Sequence, residues 1–273
     1  MSPLLDTTLL TVYSPLSRAP SQVGLELVVL AGAVATFVHA RRANKKGDPA
    51  ALLTWLAILV YGIAMEIVSY HFVDNFTHAQ FTVMLYHHKL PLYVTALYPV
   101  LLYTGIATAR WLQLPRAIEP LAAGLFIVAM DVPFDLMGPV AGWWSWSDAD
   151  PNLAVRWGGV PVTSFFWHLT FGGSLALLSR ALGPAAARRG PAGLLLALPI
   201  ALGTMVCGFL LFLPFHGLKH LGVNDGLIVG AALALCALAT ALSRRAPRQG
   251  TDRLLWGVPA LFVCYHLALA LAS

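Results

Sequence analysis

Residues 191–213 read PAGLLLALPIALGTMVCGFLLFL. No charge interrupts them, and ~20 mostly apolar residues are enough to cross the hydrocarbon core of a membrane as a helix. Lipid offers the backbone no hydrogen-bond partners, so a segment of this kind must satisfy its own by coiling. Working outward from it, comparable stretches lie at roughly 22–40, 51–72, 90–109, 117–137, 160–179, 223–242 and 254–272. The composition fits: 58% of the residues are hydrophobic and 11% are charged, against about 25% charged in soluble domains. The reading is all-α, a polytopic transmembrane bundle of about eight helices. Residues 1–273 then form a single integral membrane domain, with no room for a second, soluble one.

Basic residues suggest the orientation. Short cytoplasmic loops collect Lys and Arg. With the N-terminus outside, the inner loops hold Arg41, Arg42, Lys45, Lys46, Arg110, Arg116, Arg180, Arg188, Arg189, Arg244, Arg245, Arg248 and Arg253. The outer side keeps Arg18, Lys89, Arg156 and Lys219. Both termini then lie outside, in what reads as a bacterial inner membrane. The net charge of +5 is explained by these topology signals and by contacts to anionic headgroups, so nucleic acid is not an expected partner. The first twenty residues lack a basic start and carry Asp6 and three prolines, so they do not read as a signal peptide. Cys207, Cys236 and Cys264 all fall inside expected helices and read as core packing.

The inner loops are short connectors. Two outer segments differ from them. VDNFTHAQFTVMLYHHKLP (73–91) is aromatic and rich in His, and GWWSWSDADPNLAVRWGGVP (142–161) carries four Trp, two acids and one Arg. These two segments are expected to fold back over the outer mouth as a lid.

Ionisable groups inside hydrocarbon are costly and mark functional sites. Asp131 and Asp135, in AMDVPFDLMG, stand four apart and share one helical face. Both cannot ionise cheaply in low dielectric, so one should hold a proton while the other stays charged. Asp131, one turn deeper, is the expected acid, and Asp135 the carboxylate that pairs with Arg156 or a His. Pro133 between them removes a backbone donor and should loosen the helix. Glu66 lies deep in the second span, with Tyr70 one turn on. His168 sits about two turns into the fifth. His216 and His220 share a face at i, i+4, a spacing that suits a metal. With His71, His78, His87 and His88 they make a possible ligand set for Zn or Fe. His39 and His266 read as structural.

Glu66, the Lys89–Tyr93 run KLPLY, Asp131 with Asp135, Trp144 with Trp146, and the Gly159–Trp167 stretch GVPVTSFFW come in an order that resembles membrane carotenoid hydratases of the CruF and bisanhydrobacterioruberin-hydratase type. The resemblance covers roughly 60–170. It implies a multi-pass protein that adds water to the terminal double bond of an acyclic carotenoid. A closer likeness is to an uncharacterised multi-pass membrane family with a DNFxHAQ…RLPLY…WWxWxDxDPN…VPxTS signature, here Asp74–Gln80, Leu90–Tyr93 and Trp143–Asn152.

Three functions follow as expectations. The first is an intramembrane enzyme acting on an isoprenoid or other lipid by acid–base chemistry of the hydration or cyclisation type. Asp131 or Asp135 is then the acid and Glu66 the group that orients water, with His168 in the same catalytic set. Trp143, Trp144, Trp146, Arg156, Phe165, Phe166 and Trp167 would contact substrate, the aromatic faces stabilising cationic intermediates. The second is a metal-dependent membrane hydrolase or oxidase, with the histidines as ligands. The third is a transporter or a non-enzymatic binding protein. The near-featureless inner half speaks against transport. The expected partners are the bilayer and a lipid-like small molecule.

Overall fold

Proline opens the first helices of the chain, where its missing N–H would have had no partner anyway. In the computed structural model, which describes residues 3–243 and 253–272, α1 spans Pro20–Lys45 and α2 Pro49–Val68. A π-helical turn, Ser69–Val73, carries α2 on into the loop. The third rod is made of α3 (Leu92–Tyr98), a π-helical turn (Pro99–Tyr103) and α4 (Thr104–Trp111). Then come α5 (Glu119–Val140) and α6 (Val162–Arg188). A short 3₁₀ segment leads into α7 (Ala197–His220), followed by α8 (Asp225–Leu242) and α9 (Arg253–Ala272). The Asn224 side chain caps α8, accepting from the Gly226 and Leu227 amides.

Among the described residues these rods coincide with the eight expected spans. Six of them are long and apolar enough to cross a membrane, so the chain is an integral membrane protein. The other two fall short for different reasons. Helix α6 carries His168, several hydroxyl residues and basic residues near its end. In α9 the apolar part is the shorter Trp256–Leu271. Helix α5 runs unbroken through Pro133 and Pro139. It packs between α4 and α6, while α2 packs on α6 and α7 and α1 on α2 and α9.

Small residues let α5 and α6 approach closely. A Cβ on Gly124 would strike the Leu169 carbonyl of α6, and one on Gly138 would strike the Trp144 indole. Without a hydrophobic drive between helices in lipid, such close backbone contact is what holds a bundle together. The cysteines do not pack in the core: Cys207 and Cys236 are half-buried and Cys264 is exposed, all three as free thiols.

The loops at the other end of the bundle are tied by short strands. β1 (Leu5–Asp6), β2 (Leu10–Val12), β4 (Val83–Leu85) and β5 (Leu90–Pro91) form one antiparallel sheet in the order β1-β2-β4-β5. β3 (Phe76–His78) pairs with β6 (Trp144–Trp146), placing His78 opposite Trp144 and Phe76 opposite Trp146. β7 (Arg156–Trp157) and β8 (Val160–Pro161) close the loop into α6.

Candidate functional site

The β3–β6 pair joins the two unusual loops. Beneath it lies a cavity of about 500 Å³ lined by residues of α2, α3, α5, α6 and α7. Glu66, Asp131, Asp135 and His168 all line it, and so do Trp144, Trp146, Asp150 and Asn152 of the second loop. The four expected catalytic residues therefore share one chamber, and the second loop contributes to its lining as a lid would.

The acidic face comes from α5 and α6, held together by the glycine contact above. Asp131 and Asp135 are 5% and 6% exposed. The Ser164 hydroxyl donates to Asp135 Oδ2 at 2.5 Å. His168 Nδ1 lies 3.0 Å from the Ser164 carbonyl and 3.3 Å from Asp131 Oδ2. A carbonyl can only accept, so this network assigns the proton to Nδ1 and leaves Nε2 as the basic nitrogen of the neutral ring. Ser164 is a site residue that sequence reading missed. It stands one turn before His168, and that spacing was the available signal.

The second polar group belongs to α2 and β3. Glu66 is 3% exposed. Its Oε1 accepts from the Tyr98 hydroxyl at 2.9 Å. His78 Nε2 approaches Oε2 to 3.5 Å, with both side chains almost fully buried. The pair is not aligned as a hydrogen bond, and Glu66 Oε2 and both His78 ring nitrogens have no hydrogen-bond partner in the protein. Buried polar atoms left in this way cost about 1–3 kcal/mol each. The Tyr70 hydroxyl donates to the Lys89 carbonyl at 3.0 Å while standing beside the Glu66 carboxylate.

Most of the remaining lining is apolar, including Leu97, Phe134 and Phe171. Trp167 stacks on Phe171 with ring centres 4.1 Å apart. Phe209 and Leu213 of α7 line the cavity and are also 40% and 62% exposed. The chamber thus reaches the lipid-facing side of the bundle at α7.

Several expected residues stand elsewhere. Arg156 does not meet Asp135; its guanidinium pairs with Asp148 at 3.3 Å and reaches the Leu153 carbonyl. Trp143 is fully buried in the core against Tyr265 and His266. Phe165 packs on Trp157, and Phe166 packs on Phe212 and Phe215.

The histidines do not assemble. Among the described residues no group of three His, Cys, Asp or Glu side chains could hold a metal ion. His78 and His216 line the cavity. His71 bonds the Tyr86 hydroxyl at 2.6 Å. His87 and His88 sit in a left-handed turn (φ 54° and 61°) beside β4, and His220 ends α7 on the surface. As expected, His39 and His266 have structural partners: the Tyr103 hydroxyl and the Phe262 carbonyl.

The opposite end is not featureless. Glu119, 3% exposed, pairs with Arg180, and Arg110 lies 3.8 Å away while donating to Thr54. This cluster ties α2, α4, α5 and α6 together. Arg110, Glu119 and Arg180 lie at the borders of the expected spans, so they read as ordinary boundary charges in sequence. Arg244, Arg245 and Arg248 of the last basic loop lie outside the described residues.

Residues 13–250 match the family described as Domain of unknown function (DUF7802). The chain belongs to that family. The matched span contains every cavity residue named above. No curated protein matches the chain, and no solved structure matches it.

Proposed function

We propose that this protein is an intramembrane enzyme that moves protons on a lipid substrate of the isoprenoid type, in a hydration or cyclisation reaction. One observation carries the reading: a carboxylate pair with an adjacent imidazole and a second buried carboxylate share a single apolar chamber open toward lipid at α7. A structural role would not require this. Buried charges that only stabilise are usually matched one to one, because unmatched ones cost far more than they return.

The chemistry follows from the residues. Asp131 and Asp135 are one turn apart in low dielectric and act as a unit that shares a proton. That proton adds to one carbon of a double bond, and the neighbouring carbon becomes cationic. The ionised carboxylate and the faces of Phe134 and Trp167 stabilise the cation. In hydration, a water oxygen bonds the cation and its surplus proton passes to His168 Nε2, whose orientation is fixed by Ser164. His168 then returns the proton to the aspartate pair. The basic-end loops are read as cytoplasmic, which places the chamber in the opposite leaflet.

Deuterium labelling tests this. Purified protein is incubated with a membrane lipid extract in D₂O, and the lipids are analysed by mass spectrometry. A prenyl lipid should gain deuterium on carbon with native protein and not with Asp131→Asn. If no lipid in the extract gains carbon-bound deuterium above the protein-free control, proton transfer to lipid is the wrong chemistry.

A further inference from the structure

We propose that Glu66 and His78 form a hydroxyl anchor, so that the lipid held in this cavity carries an uncharged alcohol rather than a phosphate or an amine. The proposal rests on the cavity being a lipid site. It adds what the polar end of that lipid must be.

The argument starts from which atoms are already used. Tyr98 occupies Glu66 Oε1 at 2.9 Å. Glu66 Oε2 and both nitrogens of His78 have no partner in the protein, and the two side chains are 4% and 5% exposed. Both line the cavity. A carboxylate oxygen only accepts, while a neutral imidazole offers one donor and one acceptor. Oε2 and Nε2 lie 3.5 Å apart, so one oxygen atom can sit within hydrogen-bond reach of both. A hydroxyl fits this demand, because it donates to Oε2 and accepts from the imidazole. The Trp146 N–H, also buried and without a partner, lines the same chamber as a further donor.

The alternatives each fail on one count. A phosphate would accept from His78 but could not donate to Oε2. It would also lie among Glu66, Asp131, Asp135 and Asp150, with no lysine or arginine in the lining to neutralise it. Phospholipids, the bulk of most bilayers, all carry such a phosphate and are thereby turned away. An ammonium, with no lone pair to offer, can donate to both Oε2 and Nε2 only in the Nδ1–H tautomer, which strands that N–H as a buried donor without an acceptor.

Four ligands with one chain decide the matter: geranylgeraniol, its methyl ether, geranylgeranylamine and geranylgeranyl phosphate. Each is titrated into nanodisc-embedded protein and followed by fluorescence of the lining tryptophans. The alcohol should bind at least tenfold tighter than the other three. In Glu66→Gln the amide N–H can replace the lost acceptor, an ether oxygen then serves as well as a hydroxyl, and the preference should fall to about one. If that variant does not fold, the native comparison still decides. Equal binding of alcohol and ether, or tighter binding of phosphate or amine, overturns the anchor and leaves the lipid cavity standing. No response to any of the four ligands overturns both.

Discussion

Asp131 is buried, faces an imidazole and has a carboxyl neighbour one turn away. Replacing it with Asn keeps the shape and removes the transferable proton. Asp131→Asn should therefore lower turnover by ~10²-fold or more and shift the melting temperature little, read by lipid product formation and by thermal denaturation in detergent. Turnover equal to native would remove the aspartate pair from the mechanism. This residue was legible in the sequence because a charge between apolar neighbours stands out. The i, i+4 rule was less informative for the histidines. His216 and His220 do share a helix face, but the cavity ends at His216, and only packing decides where a cavity ends. His78 was legible as a candidate and not as the partner of Glu66, because that contact depends on a strand pairing.

Helices were readable because each one buries or exposes a long apolar run that no other structure can solvate. The β3–β6 pair was not: three-residue strands joined across nearly seventy positions leave no period in the sequence. Close helix contact was equally silent, since one glycine among the 23 in the chain does not announce its neighbour. Two glycines separate the cases. A Cβ at Gly124 meets the Leu169 backbone, whereas one at Gly217 meets nothing within 4 Å. Gly124→Ala should push α6 off α5, cost about 1–3 kcal/mol and lower activity by displacing His168, the residue next to Leu169. Gly217→Ala should be neutral or stabilise the exposed part of α7 by about 0.5–1 kcal/mol. Thermal melts of the two variants give the comparison. A Gly124→Ala protein as stable as Gly217→Ala would show that the α5–α6 seam has slack.

For the whole molecule, charge is sorted by end. The end of α1 with the turn after it, the end of α4 with the α4–α5 connection, and the end of α6 carry Arg41, Arg42, Lys45, Lys46, Arg110, Arg116, Arg188 and Arg189. The chamber, its strands and the Trp-rich loop occupy the other end. Basic residues are retained on the cytoplasmic side during insertion, so the sidedness we propose has the lipid entering from the outer leaflet. Two exposed alanines report it. Ala187 lies near the end of α6 at the basic end, and Ala149 lies in the loop beside the chamber. Each is replaced by Cys in a protein whose Cys207, Cys236 and Cys264 have been changed to Ser, and intact cells are treated with a membrane-impermeant maleimide. Ala149→Cys should label at once, and Ala187→Cys only after the cells are permeabilised. The opposite pattern would turn the protein over. The site chemistry would survive, but the chamber would then draw its lipid from the inner leaflet, where newly made lipids first appear and where the exclusion of anionic headgroups would matter most.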